Sequence, residues 1–326
     1  MRAMRAAEKG AALRLDEVAT PQPGPGEALI RVRACGLNFA DTLMVKGTYQ
    51  ETPDFPLTPG LEICGEIVAL GAGAAGPEVG ARVAALCGAG GLADYATAPA
   101  ATCVAAPAAM DDATAAALQV AYGTSHVALD HKARMRPGER LLVLGAGGGV
   151  GLTAIEIGKL MGAEVIACAN WAGEAGAAKA EAARSRGADH LIDADPEGLR
   201  DAVKALGGAD VVYDPVGGAL WREAMRAANF GARLLPIGFA SGEVPQIPAN
   251  IVMVKNVDVL GLYWGAYYRR APHVLAESFR TLLDWWEKGR IRPHVSHVLP
   301  LEQAEAGLDL LRARAASGKV VVRVSE

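Results

Sequence analysis

The stretch that decides the fold is Leu141-Leu142-Val143-Leu144-Gly145-Ala146-Gly147-Gly148-Gly149-Val150-Gly151. Its four leading apolar residues predict a strand buried on both faces, which runs into glycines and then directly into a helical pattern. Glycine permits a tight turn and lets a diphosphate approach the backbone, while the helix start offers free N–H groups and a positive dipole end. A surface turn without a ligand would not require the flanking strand and helix. The stretch therefore predicts a dinucleotide-binding turn.

Strand and helix patterns alternate on the C-terminal side of this turn. The helix after it is predicted to bury one face, made of Val150, Ala154, Ile157 and Met161. Further strands are predicted at Glu164–Ala169, His190–Ile192, Asp210–Tyr213 and Arg233–Ile237, with helices at Gly173–Arg186, Glu197–Leu206 and Ala219–Ala228 between and after them. This alternation predicts an α/β fold with a doubly wound parallel sheet. Val257–Leu262 is predicted to add an edge strand.

The N-terminal third and the C-terminal tail have a different texture. Short strands separated by glycine and proline turns are predicted at Glu27–Arg33, Glu62–Leu70, Ala81–Leu86, Val295–Leu299 and Lys319–Val324. A helix is predicted after Asp111-Asp112, which can cap it. We expect the tail to join the N-terminal part, which gives a substrate domain at 1–118 and 290–326 and a cofactor domain at 119–289.

Composition excludes several classes of protein. The 326 residues include 32 basic and 36 acidic side chains, so the net charge is −4, and no nucleic-acid partner is expected. No apolar run reaches the roughly 18 residues of a membrane span, and the N-terminus lacks the apolar core of a signal peptide. Five cysteines without a CxxC pair indicate free thiols in a reducing compartment. We predict a cytoplasmic protein.

The end of the second strand of the cofactor domain indicates which nucleotide is bound. An NAD enzyme usually places an acidic residue there for the ribose 2′-hydroxyl, but this chain has Ala169-Asn170-Trp171. A neutral tip admits a 2′-phosphate, and Lys179 or Arg184 on the next helix could supply positive charge. An ordinary solvated helix face would explain these two residues equally well. The pattern favours NADPH over NADH.

The chain resembles the zeta-crystallin-like quinone oxidoreductases of the medium-chain dehydrogenase/reductase superfamily. The resemblance rests on Gly36-Leu37-Asn38-Phe39-Ala40-Asp41-Thr42, Pro59-Gly60-Leu61-Glu62, Ala121-Tyr122-Gly123-Thr124, the Gly145/Gly148/Gly151 turn and Ser317-Gly318-Lys319-Val320-Val321. It implies a GroES-like β-rich barrel domain, a Rossmann domain and a site in the cleft between them. The segment Lys255–Gly265 is similar to the quinone oxidoreductase-like group.

The resemblance also implies site residues. The expected catalytic residues are Asn38, Asp41 and Tyr49. The expected cofactor-binding residues are Asn38, Thr124, Gly145, Gly147, Gly148, Gly149, Val150, Gly151, Asn170, Lys179, Gly238, Phe239 and Lys319. Asn38 could instead serve only as a turn residue, and Tyr49 as a packed aromatic. Tyr263 and Trp264 would line the acceptor pocket or be covered by a partner subunit.

No metal is expected. Alcohol-dehydrogenase relatives place zinc-binding Cys and His where Asn38 and Leu61 stand, and Val120 replaces the third ligand. The structural-zinc cysteines are also missing, and zinc requires about four N, S or O ligands. His294 and His297 on a predicted strand face opposite sides, and His126 and His131 on a predicted helix do not share a face.

The expected activity is zinc-independent hydride transfer from NADPH to a quinone. One alternative acceptor is an enone, enal or enoyl thioester, for which a proton donor such as Tyr49 would matter more. Another alternative is a non-catalytic NADPH-binding protein. The apolar edge Val257–Leu262 predicts a homodimer that continues the sheet across a two-fold axis.

Overall fold

A computed structural model describes residues 1–325. The chain forms two compact units, one made of Met1–Val120 with the tail from Pro293 onward and the other of Ala121–Arg292. The sequence placed these boundaries at 118/119 and 289/290. Each unit has its own main sheet, and β1 and β2 form a further two-stranded sheet.

The strands and helices follow one another in chain order. The first part comprises β1 (Arg2–Arg5), β2 (Arg14–Glu17), β3 (Glu27–Leu37), α1 (Phe39–Val45), β4 (Glu62–Leu70), β5 (Arg82–Leu86), β6 (Tyr95–Pro99), β7 (Val104–Ala105), α2 (Asp112–Ala116) and α3 (Gln119–His126). The middle part comprises β8 (Arg140–Leu144), α4 (Gly149–Leu160), β9 (Glu164–Ala169), α5 (Gly173–Ser185), β10 (His190–Asp193), α6 (Pro196–Ala205), β11 (Ala209–Asp214), α7 (Gly218–Ala227) and β12 (Ala228–Pro236). The last part comprises α8 (Ala249–Lys255), β13 (Asp258–Val259), α9 (Tyr267–Arg270), α10 (Pro272–Glu287), β14 (Val295–Pro300), α11 (Ala304–Arg312) and β15 (Lys319–Arg323). A π-helical turn at Val127–Lys132 follows α3.

The first unit is built around β3. Its sheet has the order β14-β15-β3-β4-β5-β7, and β6 also pairs with β3. The strand continues four residues beyond its predicted end at Arg33 because Ala34–Leu37 pair with β15, from Arg323 to Val320. The C-terminal tail therefore completes this sheet, as the sequence predicted. The helix after Asp111 is also confirmed, with the Asp111 side chain accepting from the Thr114 amide at 2.9 Å.

The second unit contains the predicted doubly wound sheet. Six strands run in the order β10-β9-β8-β11-β12-β13, and every adjacent pair is parallel. The strand order reverses between β8 and β11, and ligands of such sheets bind at the carboxyl ends of the strands on either side of this point. The predicted α/β fold class is confirmed.

Two details of this unit differ from the sequence predictions. The edge strand β13 is two residues long because only Asp258 and Val259 pair with β12. Helix α4 is buried over the whole run from Gly151 to Gly158 rather than along one face. The middle of the helix is therefore covered on all sides, while both of its ends are half-buried. Among residues 1–325, none of the helices combines the length and the apolar character needed to cross a bilayer.

Candidate functional site

The glycine turn connects β8 to α4 as predicted. Gly145 follows the strand with φ of +61°, a conformation that favours glycine. The Gly148 amide donates to the Gly145 carbonyl at 3.0 Å and closes the turn. The Ala146 amide donates to the Cys168 carbonyl at 3.1 Å, at the end of β9. The turn is thus fixed by backbone bonds at the carboxyl ends of two adjacent strands.

Two of the glycines are required by close approaches. A Cβ on Gly151 would lie 2.3 Å from the Gly145 oxygen and 2.8 Å from the Ala146 Cα, so the helix packs directly on the turn. A Cβ on Gly147 would lie 2.9 Å from three carbons of the Lys179 side chain. The stem of Lys179, on α5, therefore lies against the turn. The structure brings these two predicted cofactor residues together.

The first turn of α4 has the features of an anion site. Gly148 is its N-cap, and no side chain caps the helix. A helix leaves its first amides without intrahelical partners, so the amides of Gly149, Val150 and Gly151 remain available to a ligand. Gly148, Gly149 and Val150 are half-buried and so reach solvent. These residues fit a diphosphate.

The tip of β9 carries no acidic side chain. Asn170 is exposed, and its Oδ1 accepts from the Ala172 amide at 3.0 Å. The Trp171 indole N–H donates to the Ile192 carbonyl at 2.8 Å, which anchors the segment to β10. The tip leads within a few residues into α5, which carries Lys179. The tip of β9 thus carries a neutral, exposed amide at Asn170, and the Lys179 stem on the following helix lies against the turn.

The loops after β11 and β12 also border the turn. A Cβ on Gly145 would lie 2.9 Å from Val216 Cγ2. A Cβ on Gly238 would lie 3.3 Å from the Pro215 oxygen, and one on Gly217 would lie 3.4 Å from Phe239 Cδ1. The predicted residues Gly238 and Phe239 thus contact the loop after β11, and Gly145 contacts the same loop.

Asp214, at the end of β11, organises this loop and was missed in the sequence. Its carboxylate accepts from the Val216 amide at 2.7 Å and from the Gly217 amide at 2.9 Å. Burial raises the pKa of Asp214 to about 6, against the effect of these two amides. A signal was present in the sequence, since Asp214 precedes Pro215-Val216-Gly217-Gly218 at the end of a predicted strand.

In the first unit, Asn38 belongs to a buried polar network with Glu62 and Lys319. The Lys319 ammonium donates to the Leu37 carbonyl at 2.8 Å, to Asn38 Oδ1 at 2.8 Å and to Glu62 Oε1 at 2.7 Å. Asn38 Nδ2 donates to Glu62 Oε1 at 3.0 Å, and the Val120 amide donates to Glu62 Oε2 at 2.9 Å. The network fixes the Asn38 side chain in one orientation.

The Lys319 ammonium is buried within the first unit. An ammonium has three N–H groups, and all three bond to acceptors within the first unit. The residue is 5% exposed. A direct bond to a cofactor would require one of these bonds to break, and the cofactor contact of Lys319 stays a prediction. Glu62, its ion-pair partner, was not predicted as a functional residue.

Asp41, expected to be catalytic, is fully buried. Its Oδ2 accepts from the Asn38 amide at 2.8 Å, and its Oδ1 accepts from the Gly60 amide at 2.9 Å. Burial raises the pKa of Asp41 to about 6, although these amide bonds and Lys319 act in the opposite direction. Both oxygens therefore hold backbone in place. This geometry supports a positioning role for Asp41, whose catalytic role stays a prediction.

Tyr49 is half-buried beside a small apolar cluster of Met44, Leu57 and Leu61. This cluster is separate from the main core of the first unit. The ring therefore has an apolar wall on one side while part of the side chain reaches solvent. Both predicted roles, pocket wall and hydroxyl donor, remain open to Tyr49.

Thr124 lies on α3 and is 8% exposed. Its neighbour Gly123 is required by packing, since a Cβ there would lie 2.6 Å from the Trp264 ring. Trp264 also stacks edge-on with Tyr268 and Phe279 and is buried. The expectation that Trp264 lines an acceptor pocket or awaits a partner subunit is therefore corrected, because the ring is covered within its own unit.

The residues do not fit a zinc ion. Leu61 is an apolar side chain at a predicted ligand position, and the ammonium of Lys319 bonds to both Asn38 and Glu62. A divalent cation there would be repelled by this buried positive charge. In the described part of the chain, no three His, Cys, Asp or Glu side chains are grouped to hold a metal. His126 packs edge-on against Trp285, and His131 packs edge-on against Tyr267.

Two family descriptions match the chain. The alcohol dehydrogenase GroES-like domain matches residues 24–108, and the zinc-binding dehydrogenase family matches residues 149–287. The first match lies in the β-rich unit and the second in the parallel-sheet unit. The second description includes zinc, which the residues of this chain do not fit.

Curated relatives match over nearly the full length. Quinone oxidoreductase-like protein 2 of Bos taurus is 36% identical over 98% of this chain and 92% of its own length. A quinone oxidoreductase-like protein 2 homolog of Nematostella vectensis is 35% identical over 95% of this chain and 85% of its own. Both matches span the two units.

Solved structures agree with this likeness. The quinone oxidoreductase of Thermus thermophilus, solved also with NADPH, is similar with a TM-score of 0.85 and 31% identity over 99% of this chain and 100% of that one. The Escherichia coli quinone oxidoreductase complexed with NADPH has a TM-score of 0.90 and 26% identity, again over 99% and 100%. The CurK enoyl reductase has a TM-score of 0.86 and 26% identity over 99% and 98%. The chain belongs to the quinone oxidoreductase-like family of the medium-chain dehydrogenase/reductase superfamily, with a GroES-like β domain and a six-stranded parallel Rossmann sheet.

Proposed function

We propose that this protein is a zinc-independent, NADPH-dependent reductase whose acceptor is a quinone. The observation that carries the choice of nucleotide is the contact between Lys179 and Gly147, combined with the neutral Asn170 at the tip of β9. A lysine beside the turn favours a 2′-phosphate, and an acidic residue at the tip would oppose it. Two relatives in the family were solved with NADPH.

In this proposal the second unit binds the nucleotide. The amides of Gly149, Val150 and Gly151 hold the diphosphate, and Lys179 and Asn170 bind the 2′-phosphate side. Gly238 and Phe239 form one wall, which Asp214 supports by holding the Val216 and Gly217 amides. NADPH, when bound, supplies a hydride. Thr124 and Asn38 contact the nicotinamide, as the resemblance implies.

The first unit orients the acceptor. Asn38 presents a fixed amide because Lys319 and Glu62 hold its side chain and Asp41 holds its backbone. Lys319 and Asp41 therefore act as positioning residues. Tyr49 and its apolar neighbours provide a surface suited to a flat, apolar quinone. Positioning and exclusion of water are sufficient for reduction of an electron-poor acceptor.

The proposal is tested by turnover. Purified protein is mixed with NADPH or NADH and a panel of quinones, and the loss of nicotinamide absorbance is followed. We expect oxidation of NADPH with at least one quinone and a kcat/KM for NADPH at least about tenfold above that for NADH. Tight NADPH binding without turnover on any acceptor would instead favour the non-catalytic alternative.

A second acceptor class is supported by the structural likeness to an enoyl reductase. Reduction of an enone or enoyl thioester delivers hydride to the β-carbon and requires a proton at the α-carbon. The hydroxyl of Tyr49 is a candidate donor. Tyr49→Phe should then reduce enone turnover by about 100-fold, in the range of general-acid contributions, and leave quinone turnover within about twofold. Equal loss on both acceptors would contradict this role.

We also propose that the protein forms a homodimer through the edge of the parallel sheet. β13 is the last strand of that sheet. The adjoining strand β12 exposes Phe230 by 78%, and α8 exposes Met253 by 71% and Val254 by 69%. Exposed apolar side chains beside an open edge favour pairing with a second copy. A monomeric mass in light scattering at micromolar concentration would contradict the proposal.

A further inference from the structure

A cavity in the parallel-sheet unit is lined mostly by basic side chains. It has a volume of about 220 Å³ and lies at the C-terminal ends of α4 and α5. The polar and charged side chains that line it are Glu156, Lys159, Ser185, Arg186, Arg290 and Arg292. Four of these are cations and one is a carboxylate. The glycine turn lies at the opposite, N-terminal end of α4, so the cavity is distinct from the proposed nucleotide site.

Arg186 has a buried donor without an acceptor. Its Nη2 donates to the Arg292 carbonyl at 2.9 Å, and its Nη1 donates to Ser185 Oγ at 3.3 Å. Its Nε is buried and has no hydrogen-bond partner in the described part of the chain. A buried donor without a partner costs about 1–3 kcal/mol in general. A ligand oxygen in the cavity would remove this cost.

None of the three arginines of the lining forms an ion pair within the described residues. Within residues 1–325, no carboxylate lies in ion-pair distance of Arg186, Arg290 or Arg292. Arg290 lies over the Trp285 ring, with its Cζ 5.7 Å from the ring centroid. Lys159 is paired with Asp189 at 2.9 Å and is therefore neutralised. Three guanidinium groups and one carboxylate, Glu156, then remain, so the lining keeps a net positive charge.

The carboxylate in the lining offsets part of this charge, because burial raises the pKa of Glu156 while the positive charges of Arg186 and Arg292 act to lower it. Glu156 is 8% exposed, and each of its oxygens has a donor. The Tyr122 hydroxyl donates to Oε2 at 2.5 Å, and the Arg292 amide donates to Oε1 at 3.0 Å. Both bonds direct the oxygens toward protein donors. Glu156 thus acts as a structural anchor for the Arg292 backbone.

We propose that this cavity is a binding site for a phosphate-class dianion, either inorganic phosphate or the phosphate of a small phosphomonoester. The guanidinium fork matches phosphate oxygens in a bidentate manner. A tetrahedral dianion offers acceptors to Arg186, Arg290 and Arg292 at once, whereas a monocarboxylate offers one charge in one plane. The volume is below the roughly 300 Å³ at which drug-sized pockets begin, which suits a compact anion.

The test is calorimetric titration of the protein with inorganic phosphate in buffer of constant ionic strength. Because phosphate could also occupy the nucleotide site, the titration is made with and without saturating NADPH. The variants are Arg186→Gln and Arg290→Gln. The matched control is Arg222→Gln, which removes an exposed positive charge from α7 of the same unit. Arg290 is exposed, so its variant preserves the fold even if Arg186→Gln destabilises it.

We expect one phosphate per chain when saturating NADPH fills the nucleotide site. Arg186→Gln and Arg290→Gln should each weaken phosphate binding by about tenfold, the effect of one charge-assisted bond, and the control by less than about twofold. Titration with glycerol phosphate separates the two ligand sources, since tighter binding than inorganic phosphate identifies a phosphomonoester. Phosphate binding that NADPH abolishes and the arginine variants leave unchanged would overturn the proposal. Absence of phosphate binding would also overturn it.

Discussion

Replacement of Lys319 by methionine should destabilise the β-rich unit more than any exposed lysine change. The ammonium has three acceptors at 2.7–2.8 Å, and it is paired with a carboxylate that is 1% exposed. Methionine keeps an apolar stem of similar length and removes the charge. Glu62 then remains buried with a negative charge that no cation balances.

The magnitude follows from this geometry. Removing one partner of a buried ion pair costs about 3–5 kcal/mol because the other charge stays buried without its partner. Glu62 retains bonds from Asn38 Nδ2 at 3.0 Å and the Val120 amide at 2.9 Å. These donors offset part of the loss, so we expect a value near about 3 kcal/mol, at the lower end of that range.

The assay is urea unfolding followed by circular dichroism, with Lys46→Met as the control. Lys46 is an exposed lysine at the end of α1 in the same unit, and its replacement should change stability by less than about 0.5 kcal/mol. The double variant Lys319→Met/Glu62→Gln should recover part of the loss, which measures the coupling of the pair. A cost below about 1 kcal/mol, the range of exposed pairs, together with additive effects, would refute the buried pair.

Further predictions concern the parallel-sheet unit. Burial raises the pKa of Asp214 to about 6 from 3.8, so its stabilising contribution is present below the unfolded value and is lost as pH rises through the folded value. Asp214→Asn should therefore lose about 2 kcal/mol less stability than the wild type between about pH 4 and pH 7. The exposed Asp201→Asn should follow the wild type, and parallel curves for the wild type and Asp214→Asn would contradict the raised pKa of Asp214. Lys179→Gln should weaken NADPH binding about tenfold and NADH binding less than about twofold, as measured by fluorescence titration. Arg184→Gln on the same helix is the comparison. A larger effect of Arg184→Gln would assign the 2′-phosphate to Arg184 instead.

The sequence predicts what depends on local pattern. The strand, turn and helix around Gly145–Gly151 could be predicted because tight turns require glycine at fixed positions and buried parallel strands are continuously apolar. The division of the chain into a substrate domain and a cofactor domain could be predicted because short strands return after α10. Each of these signals lies within a few tens of residues.

Long-range polar pairs could not be predicted in this way. Glu62 and Lys319 are 257 positions apart, and neither has a local pattern that indicates burial. Strand β13 was predicted too long because an apolar run does not show how many residues find a pairing partner. The burial of Trp264 depends on the absence of a side chain at Gly123. The sequence does not show that these two residues are in contact, so this burial could not be predicted.

The central claim is that the turn between β8 and α4 binds the diphosphate of NADPH. The most direct measurement is calorimetric titration of the wild type and Gly151→Ala with NADPH. A Cβ at position 151 would lie 2.3 Å from the Gly145 oxygen and so must displace the turn, whereas Gly261→Ala has open space and serves as the control. The account predicts one NADPH per chain for the wild type and the control, and at least about tenfold weaker binding for Gly151→Ala. A wild type that binds no nicotinamide nucleotide, or a folded Gly151→Ala that binds NADPH as the wild type does, would contradict it.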